Sequence, residues 1–316
     1  MDIFSMVLVV IALCLFEIVN SIDNAVVDAD VLKGVAKRSR RLFMFWDLLF
    51  AVLIVRGVLP WLIIFLTVPS LGPIGAFVAS FNGDASALAS IEDSLPFLLI
   101  GAGTFFVLLF IDWIFRKPKN FAHFHEKILH GKKELFYAFT IAFIGVISLA
   151  ALALDSKLIL PIFVGATVFF LLHGIKSHFT KHKHAMVVGE KKELPDANKL
   201  LYLEIIDSVF SIDSVLGAFA FTFSIPLIIL GSGLGALLVR LVIVNHSERL
   251  KKYYYLRNGA MYSVLFLGFV MILESFKVEF PFWISPLITM LIIFYFIHRS
   301  HKEAMFLRKM GFQTKQ

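Results

Sequence analysis

Apolar residues in this chain of 316 arrive in successive blocks, each roughly 17 to 25 residues long, the length an α-helix needs to cross about 30 Å of hydrocarbon. Nothing else in the sequence restricts the fold as strongly. In lipid every backbone N–H and C=O must find its partner within the segment, so repeated blocks of this kind dictate an all-α polytopic membrane protein. Composition agrees: 59% of residues are hydrophobic and only 17% charged, with a mean hydropathy of +0.85, where a soluble domain is about a quarter charged.

The pattern predicts nine transmembrane helices over residues 4–27, 43–67, 96–115, 135–153, 157–175, 199–222, 225–246, 260–276 and 281–298. A short hinge, Asp155-Ser156-Lys157, separates spans four and five, and a Gly/Ala-rich stretch from Ser70 to Ser94 without Lys or Arg is a candidate to dip back into the membrane. The first span starts with Met1-Asp2 and lacks a small-residue cleavage site, so it is expected to stay in the mature protein.

Basic residues test this topology, because cytoplasmic loops retain Lys and Arg during insertion. Of the 30 Lys and Arg, 26 fall in the connectors after odd-numbered spans and in the C-terminal tail. The opposite connectors hold only Lys157 and Lys277, and Arg56 and Arg240 lie within spans. An outside N-terminus and an inside C-terminus follow. The formal charge of +7 is therefore a topology signal, and no compact basic module offers itself to nucleic acid. All ten histidines lie in or beside the basic connectors, including His123 and His125 and the group His178, His182 and His184, which are candidates only for weak cytosolic metal binding.

Two acidic motifs sit inside spans. Span one carries Glu17, Asn20, Ser21, Asp23 and Asn24; span six carries Glu204, Asp207, Ser208, Ser211, Asp213 and Ser214. They are variants of one theme and run in opposite directions across the membrane, the signature of an inverted repeat whose interface holds substrate. We read one transmembrane domain over 1–316, with a first half at 1–115, connecting helices and loops at 116–198, and a second half at 199–316.

An ionisable group inside a span costs about 3 kcal/mol on insertion scales, so Glu17, Asp23, Asp47, Asp112, Glu204, Asp207 and Asp213 need compensation. Arg56 and Arg240 neutralise two, and charge balance or coupling is the role assigned to Asp47, Arg56, Asp112 and Arg240. The remaining acids call for protons or a bound cation. Offsets of 0, 3, 4 and 7 place Glu204, Asp207, Ser208 and Ser211 on one helix face, and likewise Glu17, Asn20, Ser21 and Asn24. Asp23 and Asp213 fall off these stripes, so their joining the site requires the helices to unwind at Ser-Ile-Asp. The candidate metal ligands are Glu17, Ser21, Asp23, Asn24, Glu204, Asp207, Ser211 and Asp213. Oxygen ligands without Cys favour the hard divalent ions Mn²⁺, Mg²⁺ or Ca²⁺.

Other features have structural readings. Cys14 is alone in an apolar run and is expected to pack. Gly101 and Gly103, and Gly231, Gly233 and Gly235, are expected to let helices approach closely. Tyr253 to Tyr255 reads as a membrane-surface anchor. No nucleophile triad or His-Glu-x-x-His helix is present, so the chain is expected not to be an enzyme.

At Glu17-x-x-x-Ser21-x-Asp23-Asn24 and Glu204-x-x-Asp207-x-x-Phe210-x-x-Asp213-Ser214 the sequence resembles TerC-like integral membrane proteins of the LysE transporter superfamily. Arg56, Val239-Arg240 and Tyr255-Leu-Arg-Asn-Gly259-Ala-x-Tyr262 look most similar to a branch known only as a domain of unknown function, and the likeness spans most of the chain. The resemblance implies a bundle in a bacterial inner (cytoplasmic) membrane, with the motif residues as ion ligands. Members of the family are linked to Mn²⁺ efflux, others to tellurite resistance or Ca²⁺ handling. The expectation is a secondary exporter of a divalent cation, Mn²⁺ foremost, with no further cofactor. The alternative is a membrane metal-handling or envelope-stress assembly factor without net transport.

Overall fold

The computed structural model describes residues 3–32, 45–47, 49–82, 85–117, 126, 129, 131–187, 196–250 and 255–309. Among these, regular structure is helical throughout and no strand occurs. In chain order the helices are α1 (Ile3–Leu32), α2, which is π-helical over Ala51–Val58 and α-helical over Leu59–Thr67, α3 (Gly72–Asn82) and α4 (Ala85–Arg116). Then follow α5 (Lys133–Leu154), α6 (Ile159–Val187), α7 (Asp196–Ala218), α8 (Ile225–Leu250), α9 (Leu256–Ser275) and α10 (Ile284–Lys309).

Among the described residues, six segments are long and apolar enough to cross a membrane: 3–21, 45–67, 94–116, 134–154, 156–177 and 256–275. They coincide with expected spans one to five and eight, and the chain is a multi-pass membrane protein. The other three expected spans are also helices. α7 is less apolar because its acids fall inside it, while Ile225–Leu241 of α8 forms a shorter apolar stretch. In α10 the apolar run gives way to His298 and Arg299. The hinge between spans four and five is confirmed: α5 ends at Leu154, Asp155 Oδ1 accepts from the Lys157 backbone N–H at 3.1 Å, and a 3₁₀ turn, Ser156–Leu158, opens α6. The 70–94 stretch forms a 3₁₀ turn at Pro69–Leu71, then α3, then the first turns of α4.

Helix pairing is set by small residues. A Cβ on Gly235 of α8 would stand 2.6 Å from the Cys14 carbonyl oxygen of α1, and one on Gly231 would stand 2.7 Å from Leu13 Cβ. α8 therefore lies against α1 at near-backbone contact. Gly103 of α4 meets α9 in the same way, 2.8 Å from the Gly268 carbonyl, and Gly101 approaches Pro161 of α6. Further pairings join α2 to both α7 and α8, and α1 to α7, α9 and α10. Around these contacts Phe16, Phe105, Phe106, Phe169 and Phe219 form the fully buried centre of the bundle.

Two expectations are overturned. Neither α1 nor α7 unwinds at Ser-Ile-Asp; both run as unbroken α-helix through 21–23 and 211–213. The helical irregularity lies instead in α2, whose wide π-turn surrounds Arg56. Of the expected anchor, Tyr253 and Tyr254 lie outside the described residues, and Tyr255 is no surface anchor: it is 6% exposed, its backbone N–H donates to Ser300 Oγ at 3.0 Å, and the Arg299 guanidinium stands over its ring.

Candidate functional site

The first motif forms its stripe as helical spacing requires. Ser21 Oγ donates to Glu17 Oε1 at 2.5 Å, one turn away, and Arg56 Nη2 of α2 donates to the same oxygen. Glu17 is 1% exposed and Arg56 3%. The π-turn has a visible purpose here: Arg56 Nη1 donates to the Ala51 carbonyl at 2.7 Å, which ties the guanidinium to the widened backbone beneath it. Gly235 lies over Glu17 so closely that a Cβ would stand 2.7 Å from Glu17 Cβ. Glu17 Oε2 and Arg56 Nε, both buried, have no hydrogen-bond partner among the described residues.

The two motifs touch. Asn20 Nδ2 of α1 donates to Ser214 Oγ of α7 at 3.2 Å, a contact between residues 194 apart in sequence. On α7, Ser208 Oγ donates back to the Glu204 carbonyl at 2.8 Å, so its hydroxyl hydrogen is spent within its own helix.

A second charged centre joins Asp47, in the helical residues that precede α2, to α7 and α8. Arg240 Nε and Nη2 reach Asp47 Oδ2 at 2.7 and 2.5 Å. Glu204 lies beside Asp47, and Asp207 and Arg240 lie within electrostatic reach of Glu204. Three acids thus gather around one guanidinium.

Asp213 points off the motif stripe, as an unbroken helix dictates, and meets α6, where Lys176 Nζ lies 2.6 Å from Asp213 Oδ2. Asp112 is 1% exposed near the end of α4 and faces Arg116 at 3.2 Å, His173 Nδ1 at 3.4 Å and Lys117 at 4.0 Å. Lys176, Arg116 and Lys117 stand at the ends of spans and reach back along the helix surface.

The structure therefore distributes the expected ligands over several centres. Glu17 and Ser21 share one, Glu204 and Asp207 another, and Asp213 lies with Lys176. Ser211 is half-buried on α7. His123 and His125 lie outside the described residues, as do the side chains of Asp23, Asn24, His178, His182 and His184. Among the described residues no group of three or more His, Cys, Asp or Glu is close enough to hold a metal ion.

Sequence reasoning did not single out Glu126. It is fully buried, accepts from Asn258 Nδ2 at 3.0 and 2.8 Å, one bond to each oxygen, and accepts from Tyr262 Oη at 3.0 Å. The signal was available: Glu126 is the single acid in the basic connector from Arg116 to Lys133.

Fold and site together define a multi-pass helical membrane protein with charged side chains buried between its helices. Residues 22–308 match the family described as protein of unknown function (DUF475), and the chain belongs to that family. No curated protein and no solved structure matches it.

Proposed function

We propose that the chain is a secondary transporter, not an enzyme, that exports a divalent metal cation, Mn²⁺ foremost, through an acidic site shared by α1 and α7. The observation that carries this reading is the Asn20–Ser214 hydrogen bond, which joins two helices whose acidic motifs are repeated in sequence. Buried ionisable groups within a membrane bundle mark ion pathways by default. Oxygen donors alone match the chemistry of hard divalent ions.

The proposal takes α7, α8 and α10 as crossings, giving nine spans with the N-terminus outside and the C-terminus inside, in the bacterial inner membrane. It also takes the halves as inverted repeats, with α1, α2 and α4 the counterparts of α7, α8 and α9. Helix pairing supports this: exchanging counterparts converts α1–α8 into α7–α2 and leaves α1–α7 and α4–α9 unchanged. Charge follows the same exchange, Glu17 with Arg56 on one side and Glu204 near Arg240 on the other. A translocated cation must exchange with the ammonium and guanidinium groups that hold these carboxyls.

A second reading, a metal-handling or assembly factor without net transport, is favoured by the pairing of Glu17 and Asp213 with protein cations. Flux of ⁵⁴Mn²⁺ in proteoliposomes, with Ca²⁺ and Mg²⁺ as competitors, separates the two. Time-dependent flux that competitors reduce is expected of a transporter. Tight cation binding with no flux overturns transport in favour of the second reading.

A further inference from the structure

A cavity of about 580 Å³ opens between α2, α4 and α6 and reaches α7. That is the size of a small-molecule site. Its rim is formed by Thr67, Phe97 and Lys157, which lie at the end of one crossing segment and near the starts of two others, 45–67, 94–116 and 156–177. The rim is therefore at one membrane surface. Its deep end is formed by Leu59, Phe105 and Val168 on the same three helices. From Lys157 to Val168 the helix climbs about 16 Å, roughly half of a 30 Å hydrocarbon core. The cavity has the depth of a single leaflet.

Small residues form one wall of the cavity. Gly101 and Gly165 bring α4 and α6 so close that a Cβ on Gly165 would stand 2.1 Å from the Gly101 carbonyl oxygen, and both glycines line the cavity. Val164, also lining it, remains 52% exposed. Lys157 is the only charged residue among the described lining residues, and its ammonium forms no ion pair with the described acids. Its backbone N–H is held by Asp155, which fixes the turn and leaves the side chain at the rim.

An apolar slot one leaflet deep, with one cation at its mouth, has the chemistry of a single lipid: an acyl chain below and a phosphate above. We propose that this cavity binds an anionic phospholipid of the surrounding bilayer, its acyl chain in the groove bounded by α2, α4 and α6 and its headgroup on Lys157. The inner wall includes Ile212 and Leu216. Ile212 is the residue before Asp213, so the bound chain touches the helix that carries the second acidic motif. The lipid site does not depend on the transport reading.

The test is native mass spectrometry of the full chain released from vesicles of equal phosphatidylglycerol and phosphatidylcholine with matched acyl chains. The native chain is expected to retain phosphatidylglycerol in preference to phosphatidylcholine. Lys157→Gln is expected to abolish that preference, and Val164→Trp to reduce retention of either lipid several-fold. Val164 is largely exposed, so the larger side chain enters the cavity without disturbing the core. Retention in the bulk lipid ratio by the native chain, an unchanged preference in Lys157→Gln, or undiminished retention in Val164→Trp would each overturn the proposal.

Discussion

Lys176 of α6 holds Asp213 of α7, ammonium to carboxylate at 2.6 Å, with each side chain 15% exposed. Removing one partner of a pair this buried leaves the other uncompensated, at a cost of about 3–5 kcal/mol. Lys176→Met is therefore expected to lower the melting temperature in detergent sharply, and the double variant with Asp213→Asn to recover most of the loss. A double variant that melts at the sum of the two single losses would show that the pair carries no coupling.

The same logic applies more strongly to Glu17 and Arg56, which are almost fully enclosed. Arg56→Leu is expected to destabilise by about 3–5 kcal/mol, and Glu17→Gln in that background to restore part of it. Arg56→Lys keeps one positive charge but cannot reach Glu17 and the Ala51 carbonyl with a planar fork. Its expected melting temperature lies between the native chain and Arg56→Leu, and equality with the native chain would show the π-turn contact to be dispensable.

Glycine substitutions are expected to divide by what a Cβ would meet. Gly235→Ala drives a methyl group into the Cys14 carbonyl and Glu17, an overpacking that costs about 1–3 kcal/mol. Gly145 lies within α5 with nothing inside 4 Å, so Gly145→Ala is expected to gain about 0.5–1 kcal/mol from helix propensity. Thermal melts of the two variants shifting in the same direction would contradict the close packing of α1 on α8.

Much of this architecture was legible in sequence, for a physical reason: span length and glycine spacing are local properties. The six crossing segments fall where apolar length places them, and Gly231, Gly235 and Gly103 lie at close helix approaches as expected. The stripe logic also held, since Ser21 reaches Glu17 across one turn and Asp213 points away from its stripe. Charge pairing was legible only in part. Burial cost requires that Asp47 and Arg240 be compensated, but nothing local says that residues 193 apart meet. Lys176, Arg116 and Lys117 counted as connector charges in the sequence, yet their stems carry them back to Asp213 and Asp112. The π-turn in α2 has no sequence signature, because it is imposed by where Arg56 must point.

Glu126 ties the connector between α4 and α5 to the start of α9 through Asn258 and Tyr262. Glu126→Ala deletes that acceptor, and an amide left buried without one costs about 1–3 kcal/mol. Limited proteolysis within residues 116–133 is expected to accelerate in Glu126→Ala. Equal cleavage rates would show that this contact does not anchor the connector.

On the proposed function, both acidic motifs serve one cation pathway. Its most direct test is the initial rate of ⁵⁴Mn²⁺ flux in proteoliposomes for Glu17→Gln and Asp213→Asn, each checked for native helix content and monodispersity. Either substitution alone is expected to reduce flux to the level of empty vesicles. Native-rate flux through either variant would contradict the proposed function.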